Sequence, residues 1–251
     1  LVVLARPYDG IDWTGEAVDA KWAQRYRDNP GVPYPDDAEP NYVPGVSSSI
    51  AYRLWTLDEL AQETNYWLLH GISPLLVFGR YYAGEDIAAT ARVMQAALRY
   101  AAARPDVDRA RVGITGGSWG GFMTIYGASL APPEIRPAAA DLAGPVDFES
   151  MIRYTREEMP ALAPPENVPA FSAFFEPYER RIQAGRGKFG GSPDSWTGFT
   201  TQDVCMGLYG NTLVLHDDWD TLVPFSQSYG LHTSCPGVDG VFWTHDAPID
   251  W

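Results

Sequence analysis

Short apolar runs alternate along this chain with longer stretches of helical spacing. Leu-Val-Val-Leu-Ala-Arg at 1–6 is an apolar run closed by Pro7 and reads as a buried strand. Runs of the same kind lie at 72–78, 111–115, 138–142, 212–215 and 241–244. Between them, 15–27, 57–69, 86–103 and 120–128 read as helices. Thr56-Leu57-Asp58-Glu59 is a capping box, in which a threonine and a glutamate three residues on satisfy each other's backbone amides, so it opens the helix at 57. Gly71 stands at the C′ position, where a left-handed residue closes a helix. Strands alternating with helices predict βαβ units and a mostly parallel sheet with helices on its faces.

Two segments break the alternation. Residues 28–55 hold Pro30, Pro33, Pro35, Pro40 and Pro44 and are expected to be irregular, because proline interrupts both helix and ladder. Residues 148–200 are rich in Pro, Glu, Arg and aromatics, with helical stretches at 148–159 and 172–184. Placed between sheet strands, they are expected to form a lid above the sheet edge, the plain alternative being a surface connection. The core is then 1–147 with 201–251, and the lid is 148–200. Leu1 is not an initiator methionine and no helix follows the last strand before Trp251, so natural residues are expected beyond one or both ends.

Composition narrows the class. A length of 251 residues suits one α/β domain, and 45% apolar with 20% charged residues excludes a disordered tail or a coiled coil. With 18 Lys plus Arg against 32 Asp plus Glu, the net charge of −14 argues against nucleic acid and anionic membrane surfaces as partners. No apolar run reaches the roughly 18 residues of a membrane span. Nine tryptophans and fourteen tyrosines fit an aromatic core or a ring-lined cleft. Cys205 and Cys235 are either one disulfide or two thiols, and the compartment follows from which; they offer no paired C-x-x-C metal frame.

The chemistry centres on Gly116-Gly117-Ser118-Trp119-Gly120, a G-x-S-x-G nucleophile elbow between the strand at 111–115 and the helix from 120. The serine must stand clear of the backbone on a tight strand-to-helix turn, and small residues two before and two after keep strand and helix from colliding. The Trp119 N–H then points at a developing oxyanion from a helix N-terminus. A serine hydroxyl needs a base and an orienting acid, which in this fold follow the nucleophile in the order acid, histidine. Of four histidines, His70 caps the end of a helix, His216 sits beneath the loop after the strand at 212–215, and His232 lies on a solvent-facing helix. His245, just past the last strand, is the candidate base. Asp220 is the candidate acid, four residues or so past its strand, with Asp217 and Asp218 as competitors. The 216–220 cluster has no fixed metal-ligand spacing.

Four blocks together resemble the X-prolyl dipeptidyl peptidase and cocaine esterase group of serine hydrolases. They are Arg6-Pro7-Tyr8-Asp9, Gly116 to Gly121, Asp218-Trp219-Asp220 and Trp243-Thr244-His245. The stretch from Asp106 to Thr124 is also similar to the related prolyl oligopeptidase catalytic domain. The resemblance implies Ser118 as nucleophile, Asp220 as acid, His245 as base, and the Tyr8 hydroxyl beside the Trp119 N–H in the oxyanion hole. Gly79-Arg80-Tyr81-Tyr82 departs from that group's Asp-x-Arg-Gly segment, and its larger cap and jelly-roll domain have no counterpart in these residues.

The expectation is therefore an α/β-hydrolase fold with a small helical lid. It would cleave a small-molecule ester, or an amide, by acyl transfer, without cofactor or metal. X-prolyl or aminoacyl peptidase activity is the near alternative. A non-catalytic binding module on the same fold and a metal-dependent hydrolase using residues 216–220 are the rivals.

Overall fold

A computed structural model describes residues 1–7, 10–12, 54–79, 85–162 and 164–244. Its centre is a six-stranded, wholly parallel sheet. The strands in chain order are β1 (Val2–Arg6), β4 (Pro74–Phe78), β5 (Gly113–Gly117), β6 (Ala138–Leu142), β7 (Thr212–Asp217) and β8 (Val238–Trp243), in the spatial order β4-β1-β5-β6-β7-β8. A separate parallel pair joins β2 (Gly10–Asp12) to β3 (Leu54–Thr56). The chain runs outward from β1 to β4 and then crosses back to β5 on the other side of β1. That reversal opens a crevice at the carboxyl ends of β1 and β5, where open α/β sheets bind ligands. The α/β-hydrolase fold is this arrangement.

Helix α1 (Leu57–Leu69) begins where the sequence places it and ends in a Schellman turn. The Gly71 N–H donates to Leu68 O at 2.9 Å and the Ile72 N–H to Trp67 O at 3.0 Å, with Gly71 at φ 72°. Helix α2 (Ile87–Ala103) is capped by Asp86, whose carboxylate accepts from the Ala89 N–H at 2.9 Å. Its stripe of Ile87, Ala91, Met94, Leu98 and Ala101 is wholly buried at helical spacing. Helix α3 (Trp119–Ser129) is buried from Trp119 to Ala128, so it has no polar face to show; it lies between the sheet, α2 and α7 (Thr201–Gly207).

Two strands differ from the sequence pattern. β5 starts at Gly113 and extends through Gly116 and Gly117, which pair with Asp141 and Leu142 of β6. Two glycines carry no side-chain periodicity, so the ladder reaches beyond the apolar run. β8 starts at Val238 because Asp239 and Gly240, poor strand formers, are held in register with Leu213 and Val214. The stretches 148–159 and 172–184 are longer than expected. They comprise α4 (Phe148–Arg153), a π-helical turn (Tyr154–Glu158), α5 (Met159–Leu162) and α6 (Val168–Gly185). The helix expected at 15–27, most of the Pro-rich segment and Arg80-Tyr81-Tyr82 lie outside the described residues.

Cys205 of α7 is joined to Cys235, just past α8 (Ser226–Ser234), with Cα atoms 5.1 Å apart. Of the two states the sequence left open, the structure shows the disulfide. A link closing 30 residues of chain restricts the unfolded state by an amount worth about 3–4 kcal/mol on the chain-entropy account.

Backbone packs closely at the end of β5. A Cβ on Gly116 would stand 2.6 Å from Gly120 O and 2.9 Å from Ala5 Cβ. Gly116→Ala should therefore lower stability by about 1–3 kcal/mol, read as a lower urea midpoint; an unchanged midpoint would contradict the close approach.

Candidate active site

Ser118 forms the single-residue hinge between β5 and α3. Its backbone sits at φ 53°, ψ −123°, a region non-glycine residues occupy only when the surroundings enforce it. Its N–H donates to Leu142 O at 2.8 Å, and its carbonyl accepts from the Phe122 N–H at 3.1 Å. The side chain makes no capping hydrogen bond to α3 and is exposed. Trp119, next along, is buried against Phe122, Phe148 and Tyr178 in edge-to-face contacts of 5.2–6.0 Å.

Ser118 and Trp119 border a cavity with about 480 Å³ of empty space, partly open to solvent. Its walls are mostly apolar. Met151, Phe175, Tyr178 and Ile182 come from helices between β6 and β7, and Leu222 and Val223 come from the loop after β7. The polar exceptions are Thr155 and Glu179: the Thr155 hydroxyl donates to Glu179 Oε1 at 2.7 Å, and Arg156 donates to Oε2 at 2.8 Å.

The loop after β7 assigns its carboxylates separate tasks. Asp217 accepts from the Trp219 N–H at 3.0 Å and from the Trp243 indole at 2.8 Å, tying β7 to β8. Asp218 donates its N–H to Trp243 O at 3.0 Å and accepts from the Thr244 hydroxyl at 2.7 Å. Asp220 turns inward. Its Oδ1 accepts from the N–H groups of Leu222 and Val223 at 2.8 and 3.0 Å, while Oδ2 lies 3.5 Å from His216 Nε2. The Tyr154 hydroxyl donates to Thr221 O at 2.6 Å, so the π-helical turn clamps this loop. Burial first, and then the nearby Asp220 charge, push the Tyr154 phenol up to about 12.

The histidines separate as follows. His70 donates through Nδ1 to Tyr66 O at 2.7 Å and caps α1. His216 is fully buried; Val223 O, 3.0 Å from Nε2, can only accept, so the proton resides on Nε2 and the Ser228 hydroxyl faces Nδ1 at 2.7 Å. His232 does not face solvent as its helix position suggests. It is half-buried, its Nδ1 lies 2.7 Å from Val238 O, and its ring meets Phe242 edge-on. The helix end is close enough to β8 for the imidazole to bridge them. Tyr8 and His245 lie outside the described residues. The described chain ends at Thr244, held to Asp218 two residues from Asp220.

Sequence reasoning passed over Asp141, Tyr154 and Glu179. Only Asp141 carried a signal, an aspartate at the end of an apolar strand. It is fully buried; Oδ1 accepts from the Gly144 N–H at 3.0 Å, and Oδ2 has no hydrogen-bond partner among the described residues. Burial lifts its carboxyl from 3.8 to about 7, against the opposing pull of His216 and of the Gly144 N–H. Among the described residues, no three His, Cys, Asp or Glu side chains are grouped to hold a metal ion, and no helix is long and apolar enough to cross a membrane.

The sheet order, the strand-to-helix elbow and its strained serine define the class: an α/β hydrolase. The prolyl oligopeptidase family model matches residues 88–236, more than half of the chain, and the chain belongs to that family. Among solved structures it is similar to a chain assigned as a dipeptidyl aminopeptidase IV from Bacteroides ovatus. That match has 14% identity and TM-score 0.51, covering 79% of this chain and 26% of the other. A puromycin-hydrolyzing peptidase of Mycobacterium tuberculosis matches at 20% identity and TM-score 0.47, covering 73% and 27%. An acetyl xylan esterase from Paenibacillus sp. R4 matches at 15% identity and TM-score 0.49, covering 100% and 69%. The comparison with curated proteins gives no match. The chain thus spans about a quarter of the length of the solved peptidases it resembles.

Folding raises the Asp141 pKa, so its contribution to stability is complete below the unfolded value of 3.8 and is lost as pH climbs through about 7. Urea midpoints of wild type and Asp141→Asn, compared across that window, should draw apart, the wild type losing ground as pH rises. Parallel curves would contradict a buried, neutral acid.

Proposed function

We propose that this chain is a serine hydrolase that cleaves a small-molecule ester or amide through an acyl-enzyme. Ser118 attacks the carbonyl carbon while His245 takes its proton. The tetrahedral oxyanion is held by the Trp119 N–H and the Tyr8 hydroxyl. His245 then protonates the leaving group as the C–O or C–N bond breaks, and water, activated by the same imidazole, releases the acid and restores Ser118. Asp220 fixes the imidazole tautomer and stabilises its cation. No cofactor enters the cycle.

One observation carries this reading. A serine in strained backbone geometry opens, exposed, onto the same cavity as Leu222 and Val223, whose amides hold Asp220 in place. Thr244, the residue before His245 in the chain, donates its hydroxyl to Asp218 in this loop. The segment 148–200 acts as a lid on the core of 1–147 and 201–251, because its side chains wall the cavity over Ser118. Apolar walls favour an apolar acyl group. An ester is the preferred substrate, since an alcohol leaves more easily than an amine. Membership of the prolyl oligopeptidase family supports a second reading, a peptide amide. The Pro7-Tyr8-Asp9 and Trp243-Thr244-His245 blocks favour a kinship with the related X-prolyl and cocaine esterase group.

Ser118→Ala should abolish hydrolysis of a short p-nitrophenyl ester; wild-type turnover in a clean preparation would remove Ser118 from the role. Asp220→Asn should lower kcat by roughly 10³–10⁴ with the fold intact, the effect of losing the tautomer-fixing acid, whereas a kcat within a few-fold would return the role to a competitor. Tyr8→Phe should cost roughly 10²–10³ in kcat, the scale of one oxyanion donor. An unchanged kcat would make Tyr8 a packing residue.

A further inference from the structure

Asp141 lies directly behind the nucleophile. The turn from Asp141 to Gly144 begins at the end of β6 and is closed by the aspartate's own side chain, through the Gly144 N–H to Oδ1 bond of 3.0 Å. Ala143 within it sits at φ 51°, a second strained non-glycine residue beside the first. Leu142, in the same turn, supplies the carbonyl that accepts the Ser118 N–H at 2.8 Å. The turn also presses on α3: a Cβ on Gly121 would stand 2.0 Å from Asp141 Oδ1, and one on Gly144 would stand 2.6 Å from Phe122 N. Only glycine fits at either place while the carboxyl is there.

We propose that Asp141 is a positioning residue for the nucleophile that works as a neutral carboxylic acid. Its side chain locks the turn whose Leu142 carbonyl holds Ser118, and its lack of charge leaves the field of the α3 N-terminus to the oxyanion. The proposal rests on Ser118 being the nucleophile. Two physical arguments support it. A buried carboxylate with one oxygen that has no partner among the described residues carries a large desolvation cost, which protonation removes. A carboxylate against the first turn of α3 would also consume the positive potential that an oxyanion at the Trp119 N–H needs. Two groups facing Asp141, the Gly144 N–H and His216, favour its charged form, and burial outweighs both. Gly116 on β5, Gly121 on α3 and Gly144 in the turn do not titrate. On β7 the facing titratable group is His216, which the Asp220 carboxylate already approaches at 3.5 Å. Ionisation of Asp141 therefore places a negative charge, only partly offset by His216 and the Gly144 N–H, behind the reacting centre.

The test is the pH dependence of kcat for p-nitrophenyl ester hydrolysis, followed at the product's isosbestic wavelength, for wild type, Asp141→Asn, Asp141→Ala and Ser118→Ala. Wild-type kcat should fall about tenfold as pH rises from about 6 to 9, on the scale of about 1.4 kcal/mol per tenfold. In Asp141→Asn, which keeps an acceptor for the Gly144 N–H and cannot ionise, that fall should vanish. Asp141→Ala, which unlocks the turn, should lose roughly 10²-fold in kcat at every pH with KM little changed, and Asn should restore most of that loss. A fold-neutral substitution at a merely structural position would not remove a limb of the profile. Parallel wild-type and Asn profiles, with Ser118→Ala inactive, would overturn the proposal and leave the nucleophile standing. An active Ser118→Ala would overturn both. Should the Asn variant fail to fold, infrared titration of the wild type decides: a buried acid C=O stretch persisting to about pH 7 supports the proposal, and its absence at pH about 5 overturns it.

Discussion

A single backbone strain organises the rest of the molecule. Ser118 is held at φ 53°, where an L-residue with a side chain is unfavourable by about 1–3 kcal/mol. It stays there because everything around it leaves no alternative. Gly116 and Gly120 let strand and helix approach within the distance a methyl group would need, and Leu142 takes the serine amide. Relaxing the hinge would break that hydrogen bond and pull α3, buried from Trp119 to Ala128, off β5 and β6. Core burial thus supplies the energy that keeps one hydroxyl exposed.

The loop after β7 faces the same cavity under a different constraint. There three carboxylates, Asp217, Asp218 and Asp220, lie within four residues and take different partners. Asp217 and Asp218 bind the end of β8, whereas Asp220 is fixed by the Leu222 and Val223 amides and faces His216. Tyr154 braces the loop from the inserted helices. The helices between β6 and β7 therefore both wall the cavity and brace the loop after β7.

Much of this was legible in the sequence, for identifiable reasons. The parallel sheet followed from apolar runs separated by helical spacing, and the elbow from a glycine pattern that only makes sense at a sharp turn. Other features left no local trace. The length of β5 is hidden because Gly116 and Gly117 have no side chains to show periodicity. His232 looked solvent-facing because helix position alone does not reveal β8 close by. Asp141 is a single aspartate in Ala-Ala-Ala-Asp-Leu, and its importance comes from Gly121, twenty residues earlier, and His216, on another strand. The pairing of Cys205 with Cys235 likewise needed the packing of α7 against α8. Contacts between elements distant in sequence set all of these, and no periodicity reports them.

The central claim is that the serine at the elbow is chemically activated and not merely exposed. Reaction with a fluorophosphonate probe, followed by peptide mapping, tests it most directly. A single adduct on Ser118, formed by the folded protein and lost when His245 is replaced by alanine, is the result this account predicts. No adduct on Ser118 in folded protein, or labelling that proceeds equally without His245, would contradict it.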